Sequence, residues 1–297
     1  MSPADCQMST RTQERETANT PALYVVATPL GNLGDITERA VEILRSADVI
    51  AAEDTRHTRN LLRHLGISKP LIAAHEHNEQ EAASRLVANL EHGASVALVS
   101  DAGTPAVSDP GARIVARVRA AGFRVVPVPG ANAAITALSA SGRTDAHFLF
   151  YGFLPAKRTG RRQELEKIKT LPYLLVFYEA PHRVIETVED LAEVLGGERQ
   201  VVIARELTKA FESIDAMSLA EASTWLAAEP KRQRGEFVLV VEGASGEPIS
   251  EVEARRVLEA LLEELSLKQA VKLAARLTGV SRNRLYEIAL KIRNAGE

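Results

Sequence analysis

A single cysteine, Cys6, is all the thiol chemistry this chain of 297 residues carries. No intramolecular disulfide and no multi-cysteine metal site can be built from it. Long hydrophobic runs are missing as well. Leu174 to Phe177 and Phe237 to Val241 are strand-sized, far short of the roughly 20 residues that a membrane helix needs. The first twenty residues contain no apolar stretch of the kind a secretory signal requires and read as a disordered tail, 1–20. These absences point to a cytoplasmic protein with no membrane partner. An excess of basic charge is lacking too: the net charge is −3, so no global field announces a nucleic-acid partner. Two phosphate cradles are also absent. No GxGxxG follows the first apolar run and no GxxxxGK[ST] occurs anywhere, which removes the usual dinucleotide and nucleoside-triphosphate sites.

What is present is a β/α alternation. "LYVVATP" (23–29), "DVIAAE" (48–53), "LIAAHE" (71–76), "SVALVSD" (95–101) and "FRVVPVPG" (123–130) read as strands. Helical spacing fills the gaps, as in "DITERAVEILRSA" (35–47) and "RHTRNLLRHLGI" (56–67). Strands that are apolar throughout, separated by helices, predict a parallel sheet covered on both faces over 21–142. A change of composition near "SGRTDAHFLFYGF" opens a second α/β part over 143–243, where adjacent late strands predict a mixed sheet. Within it Phe148, Phe150 and Phe153 alternate as core-facing aromatics would. "GASGEPIS" reads as a linker, 244–250, and 251–297 as a helical unit. There Ala270, Val271, Ala274 and Leu277 share one face, a Thr-Gly turn follows, and Ser281 is placed to cap a helix carrying Leu285, Ile288 and Ala289. The spacing resembles a helix-turn-helix, and Arg282 and Arg284 stand on it as candidate RNA contacts; packing of an ordinary helical hairpin is an equal reading.

Four loops fall beyond the carboxyl ends of the expected strands: "ATPLGNLGD", "AAEDTRHT", "SDAGTPAVSDPG" and "PGANAAITAL". That edge is where open α/β sheets bind ligands. The third loop holds two acids, Asp101 and Asp109, and no cation. A ligand with a sulfonium, an ammonium and a carboxylate, and without phosphate, suits such loops; S-adenosylmethionine answers that description.

"VVATPLGNLGDITERAVEIL", "IAAEDTRHTRNLL", "SDAGTPAVSDPG", "VPGANAAITAL", "FYEAPHR" and "ARELTK", in this order, resemble the motif series of the ribosomal small-subunit methyltransferase I family, within the tetrapyrrole-methylase class of S-adenosylmethionine enzymes. The likeness runs from about Leu23 to Gly243, and the terminal helices are similar to that family's small C-terminal domain. The first loop, "ATPLGN", departs from the GxGPG-like turn of the wider class, and "AGTP" stands where tetrapyrrole enzymes carry a GGDP-like sequence. The resemblance implies an α/β fold of two αβα domains with the cofactor folded in the cleft between them, a helical domain after them, and a homodimer. It implies 2′-O-methylation of a cytidine in 16S rRNA at the decoding centre, within the small ribosomal subunit. Carried onto this chain, it implies that Pro29, Asp101, Ala102, Gly103, Thr104, Ala131 and Asn132 hold the cofactor from one side. Tyr178, Glu179, Ala180, Arg205, Glu206, Leu207, Glu236 and Phe237 would close on it from the other.

A ribose hydroxyl is a weak nucleophile, so a base or a charge-stabilising group is expected. Glu53, Asp54, His57, Glu179, His182 and Lys209 are within the motifs, and Glu53 with Lys209 are the favoured pair. Glu53 and Asp54 could equally cap the next helix, and Lys209 could serve as a base only if burial lowered its pKa. Arg56 and Arg59, with Lys157, Arg158, Arg161 and Arg162 in "YGFLPAKRTGRR", are candidate contacts to RNA phosphate. No metal is called for. Two other functions fit parts of the chain: methylation of a tetrapyrrole, and a non-catalytic helix-turn-helix sensor of a metabolite.

Overall fold

A computed structural model describes residues 21–244, 251–278 and 280–295. The expected tail over 1–20 with Cys6, nearly all of the expected linker, and Gly279 of the expected Thr-Gly turn lie outside the described residues.

Strands β1 (Ala22–Val26), β2 (Val49–Ala52), β3 (Leu71–Ala73), β4 (Val96–Val99) and β5 (Arg124–Val128) pair in parallel in the order β3-β2-β4-β1-β5. Side chains alternate between two buried faces. Tyr24, Val26, Ile50, Ala52, Ala97 and Val99 pack beneath α1 (Glu38–Ser46) and α2 (Thr55–His64). Leu23, Val49, Ala51, Val96 and Leu98 pack beneath α3 (Glu79–Glu91) and α4 (Ala112–Ala120). Burial on both faces is why these strands read as unbroken apolar runs.

The next helix, α5 (Ala133–Ala140), follows β5 in the chain but seats Ala134 and Ala137 on the other sheet, against Val176, Val202, Val238 and Val240. The expected division at residue 142 grouped this helix with the first sheet; its apolar contacts belong to the second. That sheet comprises β6 (Phe148–Phe153), β7 (Leu174–Glu179), β8 (Gln200–Arg205), β9 (Ser213–Ser218) and β10 (Phe237–Val241), in the order β6-β7-β10-β8-β9. It is mixed as expected: β6 and β7 are parallel, and β10 runs antiparallel to β7 and β8. Its far face packs beneath α6 (Arg158–Ile168), α7 (Val184–Leu195) and α8 (Leu219–Ala227).

Helices α6 and α7 are pinned by one buried acid. Asp190 accepts from Nε of Arg158 (2.9 Å), Arg161 (2.7 Å) and Arg162 (2.7 Å). Burial alone would raise its carboxyl, but the three guanidinium bonds outweigh that and hold it below the usual range. Arg161 is itself fully buried. The expectation that it contacts RNA is therefore corrected: its charge is spent inside the protein, because a carboxylate from a helix about thirty residues away meets it there.

The terminal helices α9 (Glu251–Glu264), α10 (Leu267–Thr278) and α11 (Arg282–Ala295) enclose Ala254, Leu258, Ala270, Val271, Ala274, Leu285, Ile288 and Ala289. Leu277, expected on the inner face, is 60% exposed. Thr278 takes the inward place, its hydroxyl donating to the Ala274 carbonyl at 2.7 Å. Ser281 caps α11, accepting from the Arg284 N–H at 3.4 Å. Among the described residues no helix is long and apolar enough to cross a membrane.

Candidate active site

The loops beyond the first sheet are stitched to one another by backbone. Thr28 N donates to Gly103 O (2.8 Å) and Gly103 N returns a bond to Thr28 O (3.0 Å). Gly103 has φ +81°, and a Cβ there would crowd Leu30, so glycine answers both constraints. Thr104 Oγ1 donates to Ala131 O at 3.0 Å, tying the third loop to the fourth. The second loop joins through a reciprocal pair: Asp54 N donates to Asp101 Oδ1 (3.0 Å) and Asp101 N to Glu53 Oε2 (3.4 Å). Asp54 caps α2, accepting from Arg56 N at 2.7 Å. Bonds from the Arg56 side chain and then its backbone N–H hold the Asp54 carboxyl down at about 2. For Asp54, then, the capping reading holds, while Glu53 faces the cleft.

The second sheet closes the opposite side. Tyr178 OH accepts from Ala134 N (3.1 Å) at the start of α5, which Asn132 caps through Ile135 N (3.2 Å). Burial keeps the Tyr178 phenol above its ordinary pKa, and Asp109 adds to this. Glu179 is buried and committed: it accepts from Ala180 N (2.7 Å), Thr187 Oγ1 (2.6 Å) and Arg183. In the "ARELTK" loop, Glu206 and Thr208 adopt left-handed φ of 52° and 67°. Arg205 fastens that loop, donating to Phe211 O at 3.0 Å. Lys209 reaches back to the first loop, its stem packed on Gly31 where no Cβ fits, and its ammonium lies 2.8 Å from Glu206 and 2.9 Å from Glu236. Burial draws its pKa down, but the two carboxylates prevail and leave it raised. The condition under which Lys209 could serve as a base, a pKa lowered by burial, is therefore not met.

Between the sheets lies a cleft of about 410 Å³, within the range of small-molecule sites. Leu30, Val107, Leu207, Phe237 and Val238 give it an apolar floor. Glu53, Asp101, Asp109, Glu179 and Glu236 supply five acidic side chains, and among the described residues no Lys or Arg lines it. Burial raises the Glu53 carboxyl; the Asp101 N–H opposes this, and the charges of Asp101 and Asp54 add to it. Burial and then repulsion by Glu53 push Asp109 up to about 7, against a bond from Ser100. A cationic, partly apolar ligand without phosphate is what such a lining receives.

Of the residues expected at the cofactor, Asp101, Ala102, Gly103, Thr104, Asn132, Tyr178, Glu179, Ala180, Leu207, Glu236 and Phe237 line this cleft, and Glu53 joins them. Pro29, Ala131, Arg205 and Glu206 are not among the lining residues; the last three brace it through the bonds above. Sequence reasoning passed over Asp109 as a site residue, although it stands in the quoted loop, and over Phe153. The latter is 50% exposed and lines the cleft beside Tyr178, ring centroids 5.7 Å apart. Phe148 is exposed as well, so the expectation of core aromatics fails at both ends of β6. Gly152, at φ +79°, shifts the strand register there and breaks the alternation. Arg56, Arg59, Lys157 and Arg158 are exposed and Arg162 half-buried, while Arg282 and Arg284 are exposed on α11.

The family model described as "Tetrapyrrole (Corrin/Porphyrin) Methylases" matches residues 22–223, and that of the "RsmI C-terminal HTH domain" matches 248–293. A "Ribosomal RNA small subunit methyltransferase I" of Pseudomonas aeruginosa is 52% identical over 272 residues, 91% of this chain and 96% of that one. The chain belongs to the ribosomal RNA small subunit methyltransferase I family. A methyltransferase of the same name from Escherichia coli O157:H7 is 51% identical over 91% of this chain and 94% of its own. Solved structures share the fold. The methyltransferase CobJ superposes with a TM-score of 0.59 at 19% identity, over 76% of this chain and 95% of that one. Uroporphyrin-III C-methyl transferase of Thermus thermophilus, complexed with S-adenyl homocysteine, gives 0.54 at 18% identity, over 75% and 97%. In this member of the methyltransferase I family the acid-lined cleft lies between the two sheets, with the exposed cations of α2 and α6 outside its lining.

Proposed function

We propose that the chain methylates the ribose 2′-oxygen of a cytidine in 16S rRNA at the decoding centre, using S-adenosylmethionine. The carrying observation is the charge of the cleft: five acids and, among the described residues, no lysine or arginine in its lining. That donor set suits a ligand bringing a sulfonium and an amine, and is unsuited to a phosphate-bearing cofactor. When bound, S-adenosylmethionine supplies an activated methyl group on a positively charged sulfur. Everything else falls to the protein.

Asp101, held by the Asp54 N–H, offers charge to the amino-acid end, and the loop of Ala102, buried Gly103 and Thr104 lines the cleft beside it. Leu207, Phe237 and Val238 cover apolar ring surface and exclude water, which strengthens each electrostatic contact inside. Lys209 neutralises Glu206 and Glu236 and ties the second sheet to the first loop at Gly31. Glu53, with its raised carboxyl, faces the reacting region. Phe153, at the edge of Tyr178, offers a face on which an unstacked nucleobase can lie. Arg56, Arg59, Lys157, Arg158 and Arg162 hold RNA phosphates, and Arg282 and Arg284 extend that reach from the terminal helices. The reading includes the assembled small subunit as substrate, a cytoplasmic location, and a homodimer whose second copy covers apolar side chains such as Phe211, 75% exposed.

The test is transfer of labelled methyl to purified 30S subunits that lack the modification, with free 16S rRNA and a tetrapyrrole precursor alongside. Label on one cytidine ribose is the expected result. Label only on the tetrapyrrole would overturn the ribosomal assignment.

A further inference from the structure

We propose that Asp109 is the catalytic base of this reaction, the group whose carboxylate receives the proton of the attacking ribose hydroxyl. The inference rests on the reading above and gives it a residue.

Asp109 lines the cleft from a loop whose backbone is strained and held on several sides. Ala106 and Ser108 have left-handed φ of 68° and 62°, a conformation costing non-glycine residues on the order of 1–3 kcal/mol each. Val107 N donates to Thr104 O and Ala106 N to Pro110 O, both at 3.3 Å. Beyond the loop, buried Glu79 accepts from Gly111 N (2.8 Å) and Arg113 N (3.0 Å), fixing the start of α4. On the second sheet Ser108 fills the space where a Cβ of Gly152 would stand. Strain maintained by so many contacts is a mark of a placed functional group.

The other acids of the cleft are engaged. Glu53 accepts the Asp101 N–H, Asp101 accepts the Asp54 N–H, Glu179 is bonded to Arg183 and Thr187, and Glu236 pairs with Lys209. The groups that face Asp109 are Glu53 beyond β2, Ser100 and Asp101 beyond β4, Tyr178 on β7 and Glu236 ahead of β10. Among these groups none is a cation, and Ser100 opposes the rise of its carboxyl. Burial, with Glu53 next, places its titration at about 7. There a base is substantially ionised at neutral pH and still holds a proton well. In the step, the hydroxyl oxygen forms a bond to the methyl carbon. The sulfur–methyl bond breaks with its electron pair kept on sulfur, and the hydroxyl proton passes to Asp109. A cation and a carboxylate become two neutral groups, so charge balances.

The experiment compares the wild type, Asp109→Asn and Asp109→Glu. Single-turnover transfer to unmodified 30S subunits is followed between pH 6 and 8.5, and S-adenosylhomocysteine affinity is measured by calorimetry. Expected for Asp109→Asn is a loss of about 10²–10⁴-fold in rate, with S-adenosylhomocysteine affinity within about threefold of wild type, as suits a group acting on a proton. Measured with S-adenosylmethionine well below saturation, where the pH dependence reports the free enzyme, the wild-type rate rises with pH through about 7, and Asp109→Glu keeps that rise while Asp109→Asn loses it. A readout independent of turnover accompanies these. Binding of S-adenosylmethionine at pH 7, in buffers of different ionisation heat, releases about half a proton from wild type and none from Asp109→Asn. Asp109→Asn retaining the rate within about tenfold, or losing homocysteine-product affinity in step with it, would overturn the assignment. A wild type that labels no RNA would instead overturn the functional reading itself.

Discussion

Asp109 has a measurable cost in the empty protein. Its folded pKa of about 7 stands above the unfolded value of about 3.9. Between those limits the folded state binds more protons than the unfolded state, so this residue's contribution falls as pH rises from about 4 to 7. Asp109→Asn should therefore stabilise the ligand-free protein at pH 8 by about 1–3 kcal/mol, after allowance for solvent screening. The gain should shrink towards pH 4, and thermal unfolding at the two pH values checks it. Phe153 poses the complementary case, an aromatic ring exposed at the cleft. Base stacking is worth roughly 1–3 kcal/mol, so Phe153→Ala should raise KM for the RNA substrate about tenfold and leave S-adenosylmethionine affinity unchanged. A fall in cofactor affinity instead would assign the ring to the cofactor.

At the level of elements, α6 and α7 depend on Asp190. Removing it takes from fully buried Arg161 its buried counter-charge and leaves the exposed Glu186 at 3.6 Å. Breaking a buried pair in this way costs about 3–5 kcal/mol, so Asp190→Ala should lower the denaturation midpoint sharply. Arg158→Ala, which removes an exposed partner of the same acid, should barely move it. Helix boundaries were legible where a local signal sets them. Asp54 and Ser281, both read as candidate caps, act as N-caps from within their own segments. The facing of α10 was not, since Thr278 could turn inward once its hydroxyl had the Ala274 carbonyl to satisfy it.

Across the whole molecule, charge is segregated although the net value is only −3. Acid lines the cleft, and exposed cations such as Arg59 and Lys157 lie outside its lining. Paired reversal of these two to Glu should weaken RNA binding and flatten its dependence on log salt concentration by about 1.4, two contacts at roughly 0.7 each. Cofactor affinity measured by calorimetry should not change, and an RNA affinity equal to wild type would remove both residues from the interface.

The sequence by itself determined the five apolar strands of the first sheet, the mixed character of the second, the cap at Ser281 and the motif loops, because these follow from side-chain periodicity and hydrogen bonds between near neighbours. Most of the residues that line the cleft were legible for the same reason: they lie on short runs at strand ends. Tertiary structure alone decided that α5 packs on the second sheet, that Arg161 is buried on Asp190, and that Lys209 stays protonated between Glu206 and Glu236. It also decided that Asp109 titrates at about 7. Burial and ionisation depend on which groups meet in space, and Asp109 owes its shift to burial and to Glu53, which lies on another strand's loop.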